Sequence, residues 1–282
     1  MPELPEVETM VRGLRPAMVG AVVTKIEILD PFLLHKTTAD LITQALNGQI
    51  LKAIHRRGKW VVLEFESESV LVIEPRMTGG FWLVSPARPD HARLIFHTDI
   101  NPYTIWFCDT RRLGRIRLFS SLTEAELEIR KSQAEDALTI TKEQLYERLK
   151  KTTRAIKPTL MDQKVVSGIG NIYADEVLFA SRIHPERTSS DLKKSEIAVI
   201  HENISLILEK AIAAEGTSFD AGYRTVLGLE GGFLAINSMY GHGGEPCPVC
   251  STKIVKTQIS GLAGRPTHYC PKCQQLPKKR KS

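Results

Sequence analysis

Four of the five cysteines fall in two close pairs, Cys247-x2-Cys250 and Cys270-x2-Cys273, with nineteen residues between the pairs. Thiolates two residues apart in a tight turn can both reach one ion, and two such knuckles complete a tetrahedral set for zinc. The other use of four cysteines, a pair of disulfides, needs an oxidising compartment. The first twenty residues are too acidic for a signal peptide. The spacing therefore predicts one structural zinc per chain, held by Cys247, Cys250, Cys270 and Cys273. Between the pairs, residues 253–259 and 265–269 read as the two strands of a hairpin, with Gly261 and Gly264 in its turn. Cys108 stands apart in the apolar run 105–108 and reads as a small core residue.

The rest of the chain has to supply cores of its own, and 282 residues with 42% hydrophobic content suffice for two domains. A formal charge of +6 suits a polyanionic partner. No apolar run reaches membrane-spanning length, so a soluble cytoplasmic protein is expected. Eight short alternating or apolar stretches follow a first helix: 22–29, 50–56, 59–65, 70–73, 81–84, 93–97, 104–109 and 115–119. Gly79-Gly80 and Asn101-Pro102 punctuate them, and a short helix near 39–46 interrupts them. That rhythm predicts an antiparallel sandwich or barrel. Residues 121–141 are polar with little periodicity and read as a linker. Helical patterns follow at 142–151 and from Asp191, a capping residue, to 214, with a turn-bearing region at 157–181 between them. The fold class is α+β, with an N-terminal antiparallel β-sandwich flanked by helices and a helical C-terminal domain ending in the zinc hairpin. The expected divisions are 1–120, a linker 121–141, 142–238, the zinc finger 239–275 and a basic tail 276–282.

The chain opens Met-Pro-Glu-Leu-Pro-Glu. Removal of the methionine would leave Pro2 as a secondary α-amine, a class that titrates near about 8, well below lysine. Such an amine attacks a carbonyl-like carbon to form an iminium, and Glu3 and Glu6 flank it as candidate general acids. Proline at a helix start and acids in a first turn are also ordinary capping chemistry. Leu4, Val7, Val11, Leu14 and Met18 do mark a helix face. Residue types alone leave both readings open. Further on, Gly168-Ile-Gly170-Asn171 allows a tight turn and a fresh helix start, whose backbone N–H groups suit a phosphate. Lys157 lies upstream as a possible extra cation, and Arg265 sits at the hairpin turn where a guanidinium can grip a phosphate. A plain helix connection and a solvated arginine are the alternatives.

These pieces together resemble the bacterial formamidopyrimidine-DNA glycosylases, of the helix–two-turns–helix superfamily. The matching segments are PELPEVET at the start, RRGKW at 56–60, RMTG at 76–79, DTRRLG at 109–114, residues 156–185, YGHGGEPCPVC and GRPTHYCPKCQ. They span nearly the whole length in family order. The resemblance implies a bifunctional glycosylase and lyase of base-excision repair acting on oxidised purines in duplex DNA, as a monomer associated with the nucleoid. It implies that Pro2 attacks C1′, that Glu3 handles protons, and that Lys59, on a β-strand, touches a phosphate and assists elimination. Asn171 and Arg265 become a phosphate clamp, and His91 and Glu6 become DNA-side residues. Met77, Arg111 and Leu113 would fill the space left by the extruded base.

Some residues depart from that pattern. Leu113 stands at a wedge position commonly held by Phe. Glu74 stands where the family usually carries a phosphate-contacting His, and Pro75 follows it; an acid there would repel a phosphate, so either the DNA path shifts or another cation compensates. Pro266 replaces a common Gly, and residues 217–238 share little beyond Tyr223. Two alternatives remain: an endonuclease VIII-like enzyme for oxidised pyrimidines, and a catalytically silent zinc-containing protein that binds damaged DNA.

Overall fold

The computed structural model describes residues 2–83, 88–99, 104–218 and 223–276. The end of the strand expected at 81–84, the Asn101-Pro102 turn and the basic tail lie wholly or partly outside these residues. Two compact units divide the chain, and neither is a continuous stretch. The first joins Met1–Ser132 to Ala211–Leu234, and the second joins Gln133–Lys210 to Ala235–Ser282.

Helix α1 (Leu4–Met18) opens the first unit, and its periodic apolar residues Leu4, Val7, Met10, Val11, Leu14 and Met18 are all fully buried. Each such burial is worth about 1.5–3 kcal/mol, which decides the orientation of the helix. Eight antiparallel strands follow: β1 (Val22–Ile28), β2 (Gln49–Arg57), β3 (Trp60–Phe65), β4 (Val70–Glu74), β5 (Gly79–Trp82), β6 (Ala92–Thr98), β7 (Ile105–Asp109) and β8 (Arg115–Phe119). Their order is β5-β7-β6-β1-β2-β3-β4-β8. Only two residue pairs join β1 to β2, so the sheet falls into two four-stranded halves. Alternation then sorts the side chains. Ile26, Phe96 and Phe107 from one half share a single core with Leu63, Ile73 and Ile116 from the other, and with α1 and α2 (Ala39–Leu46). The outward faces carry smaller clusters, one of them Val62, Val70 and Val72 under helix α3 (Leu122–Arg130).

That helix corrects the reading of 121–141 as linker. Ser121 caps it by accepting from Glu124 N, and Ala125 and Ile129, one turn apart, are the buried residues that seat it. Two apolar positions are too few to register as periodicity. Gly79-Gly80 likewise lies inside β5 and is not a turn. Cys108 is a core thiol as expected, and burial pushes it up to about 12.

The second unit holds α4 (Lys142–Lys150), α5 (Ile156–Leu160), α6 (Asn171–Ala180) and most of α7 (Lys194–Ala213), then the hairpin β9 (Val255–Gln258) and β10 (Pro266–Tyr269). Asp191 is not the cap of α7, since it ends a short 3-10 turn three residues earlier. Glu196 instead reaches back to Lys193 N at 2.7 Å. No helix among the described residues is long and apolar enough to cross a membrane.

Candidate active site

In the first unit the site is built on the start of α1. Glu3 is the N-cap, and it forms a reciprocal capping box with Glu6. One Glu6 oxygen accepts from Glu3 N at 2.7 Å and the other from Thr217 N at 2.8 Å. Glu6 is 1% exposed. This corrects its placement as a DNA contact or proton donor, because both oxygens already serve backbone N–H groups. Its role is to join the start of α1 to the base of the segment at 217. Gly216 permits the approach: it has φ +84°, and a Cβ there would lie 2.9 Å from Glu6 Oε1. Pro2, one residue before the cap, is buried with it.

Lys59 lies in the two-residue turn between β2 and β3, not on a strand as expected. Gly58 takes φ +56° to close that turn, and Arg57 pairs with Trp60. Arg56 fastens the turn to α1 by donating to Gly58 O at 3.1 Å and to Glu8 at 2.9 Å. Burial raises Glu8, but hydrogen bonds from Arg12 and Arg56 outweigh it and hold the carboxyl below its usual range. Glu8 and Arg56 both lie inside segments that carry the resemblance, yet sequence reasoning gave neither a role.

The expected wedge residues come from two turns held by one buried carboxylate. Asp109, 0% exposed, accepts from Gly114 N at 2.7 Å, from Arg111 N at 3.2 Å and from the Thr78 hydroxyl. Thr78 Oγ1 in turn accepts from Arg111 N at 3.0 Å. Met77, half-buried, is thereby brought to the turn of Arg111 and Leu113, the latter 42% exposed. Gly114 leaves room for this, since a Cβ would meet Asp109 Oδ2 at 3.0 Å. Of the adjacent arginines, Arg112 is consumed by a bidentate pair with Asp30 at 2.6 and 2.8 Å, and Arg111 is left exposed. His91 is exposed, with φ 62°, just before β6. Asp109 was legible in principle, because an Asp opening a turn often accepts from backbone N–H two residues on.

Glu74 does not face solvent. It is 4% exposed, and its Oε1 accepts from Arg117 Nη2 at 2.6 Å. Of the two expected consequences, the structure places a compensating cation, Arg117, against this acid inside the fold.

In the second unit, α5 and α6 are joined by two turns that Gln163 staples. Its amide donates to Met161 O at 2.8 Å and Ile169 O at 2.9 Å, and its oxygen accepts from Gly168 N at 2.9 Å. Gly168, at φ 107°, turns the chain, and Gly170 caps α6. Asn171 begins that helix, 6% exposed, and its Oδ1 has no hydrogen-bond partner among the described residues. Lys157 is not available to DNA. It is fully buried, 2.7 Å from Asp175 Oδ1, and donates to Pro266 O at 2.9 Å and Thr267 Oγ1 at 3.0 Å. The other Asp175 oxygen accepts from His268 N at 3.0 Å. Asp175 lies one turn beyond Asn171 on α6, and Pro266 follows Arg265, so this network locks the two expected clamp residues into one body. Pro266 opens β10, where a missing N–H does no harm. Arg265 is exposed, with its backbone N–H bonded to Leu262 O at 3.0 Å. Glu176 gathers Ser238, Met239 and Tyr240 N–H groups at 2.8–2.9 Å and so fixes the approach to the zinc module.

The four expected cysteine sulfurs lie within 4.8 Å of one another, and the pairs Cys250–Cys270 and Cys247–Cys273 are 3.5 and 3.9 Å apart. A tetrahedron with Zn–S near 2.3 Å needs sulfurs about 3.8 Å apart. The donors fit a closed, structural zinc site with no open position.

Three family models match in order along the chain. They are the formamidopyrimidine-DNA glycosylase N-terminal domain at 1–116, the H2TH domain at 134–221, and a zinc finger found in FPG and IleRS at 244–276. The formamidopyrimidine-DNA glycosylase of Streptococcus thermophilus is 36% identical over 98% of this chain and 100% of its own length. The chain belongs to the formamidopyrimidine-DNA glycosylase family. The enzyme of Roseiflexus is 38% identical over the same shares. Among solved structures, a Lactococcus lactis FPG mutant in complex with Fapy-dG-containing DNA has a TM-score of 0.88 at 33% identity. It is matched over 98% of this chain and 100% of that one. The family's Thermus thermophilus member gives 0.86 at 31% identity, with the same coverage. A further Lactococcus lactis structure holds DNA containing an oxidised pyrimidine.

Proposed function

We propose that this DNA glycosylase of base-excision repair excises oxidised purines through a covalent Pro2 intermediate and then cleaves the strand by β,δ-elimination. The observation that carries the mechanism is Pro2 set directly before a buried, reciprocally capped Glu3, at the start of a helix anchored in the core. The Pro2 nitrogen would attack C1′ as the bond to the damaged base breaks, giving an iminium. Glu3 would move protons during ring opening, and Lys59, presented on a tight turn, would meet a phosphate and assist elimination. Asn171 and Arg265 would grip the backbone, at a helix N-terminus and through a guanidinium fork respectively.

The test is borohydride trapping on duplexes that each carry a single lesion, followed by mass spectrometry of the adduct. The link should fall on residue 2 of a chain lacking Met1. A link on a lysine would overturn the assignment. Within the panel, strongest trapping on oxidised purines supports the purine reading, and strongest trapping on oxidised pyrimidines replaces it with the endonuclease VIII-like one. The Lactococcus lactis complex with an oxidised pyrimidine is the reason to include those lesions.

Leu113 offers less stacking surface than an aromatic wedge. Leu113→Phe should therefore change single-turnover excision and discrimination of the opposite base, with little effect on the salt dependence of binding. An unchanged opposite-base profile would remove Leu113 from the wedge.

A further inference from the structure

Glu74 holds two arginines, and they are not equivalent. Arg117 is consumed inside the fold: its side chain is 10% exposed, and its guanidinium lies 4.5 Å over the Trp60 ring and 5.8 Å over Phe119. Arg76 is different. Its Nε lies 3.2 Å from Glu74 Oε2, its side chain is 45% exposed, and Glu74 is its one ion partner among the described residues. One carboxylate and two guanidiniums leave a net charge of +1, and the exposed part of it is Arg76.

The position of Arg76 is unusual as well. It sits in the turn before β5 at φ 58°, in the left-handed region that a residue with a Cβ rarely adopts. The turn is closed by Gly79 N donating to Pro75 O at 2.8 Å. A Cβ on Gly79 would lie 2.4 Å from that oxygen, so the geometry is tightly determined. Thr78 and Asp109 tie the same turn to the loop of Arg111 and Leu113. Anchored through Nε, the guanidinium keeps its terminal nitrogens for another acceptor, and two parallel N–H groups match a phosphate.

We propose that Arg76 is a phosphate-contacting residue of the DNA interface, held for that task by Glu74. The inference rests on the reading that Met77, Arg111 and Leu113 face the duplex. It turns the acid at position 74 from an obstacle into an anchor for a cation two residues away.

The experiment is a salt titration of binding to a duplex carrying an abasic analogue, for the wild type, Arg76→Gln and Arg76→Lys. Each phosphate neutralised contributes about 0.9 to the slope of log K against log salt. Arg76→Gln should lower the magnitude of the slope by about that amount and weaken binding several-fold at low salt. Arg76→Lys should restore most of the slope, which a merely structural role would not require. Melting temperatures should stay close to wild type. An unchanged slope for Arg76→Gln, with the wild type still trapped by borohydride, overturns this inference alone. A wild type that is neither trapped nor bound overturns the functional reading and this inference with it.

Discussion

Exhaustive removal of zinc is expected to abolish tight duplex binding. Structural zinc in comparable modules contributes on the order of 10–16 kcal/mol of apparent binding energy, as much as the whole stability of a typical domain. Besides the metal, the hairpin is held by four residue pairs between β9 and β10, a small cluster around Phe179, Met239 and Ile254, and the bonds of β10 to Lys157 and Asp175. Without the metal, Arg265 loses its scaffold, and the network of Lys157, Asp175 and His268 loses its contacts to β10. Fluorescence anisotropy on an abasic-analogue duplex, before and after chelation and after zinc is restored, checks this. Cys250→Ser should behave like the chelated protein. Full affinity after verified metal loss would show that the hairpin takes no part in binding.

Replacing Lys157 should cost stability first and affinity second. Lys157→Met leaves Asp175 buried without its cation, and breaking a buried pair in this way typically costs about 3–5 kcal/mol. A domain of this size should lose on the order of 10 °C in Tm. Pairing the change with Asp175→Asn should recover part of the loss, because the charge goes while an acceptor remains for His268 N. The same measurements separate this role from a direct phosphate contact. A surface cation on DNA would lower the salt slope and leave Tm alone; that outcome would refute the buried network.

What could be seen in advance was whatever depends on neighbours in sequence. The cysteine spacing, the apolar face of α1, the glycine turn before Asn171 and most strands are local patterns, and each is present in the structure. The misreadings have a common cause. Glu6, Glu74 and Lys157 are charged residues that each have a partner far off in sequence, Thr217 N, Arg117 and Pro266 O at 211, 43 and 109 positions, and those distant contacts are what the local pattern does not announce. Sequence habit puts charges on the surface and then asks what they touch. Here three of them are internal fasteners, and the residues they fasten include the expected chemical ones. Asp109 and Glu176 belong to the same class, since each orders a loop by accepting several backbone N–H groups. Helix α3 was missed for the opposite reason: its sequence is helical enough, but two buried residues do not make a visible stripe.

The interleaving of the two units bears on how the protein is made. Tyr223 and Val226 belong to the core of the first unit, and Val226 O accepts from Leu83 N at 2.8 Å. The side chain of Val226 also abuts α1, since any Cβ on Gly13 would meet its Cγ2 at 2.3 Å. A ribosome adding about 5–20 residues per second must therefore deliver all of Gln133–Lys210, which belongs to the other unit, before the sheet receives its last inner side chains. Until then the nascent sheet has an open seam, and the second unit must in turn wait for the hairpin at the far end of the chain. Neither unit can be closed by expressing one contiguous fragment. Dissection should instead follow the crossings near residues 132, 210 and 234, with both pieces of a unit supplied together.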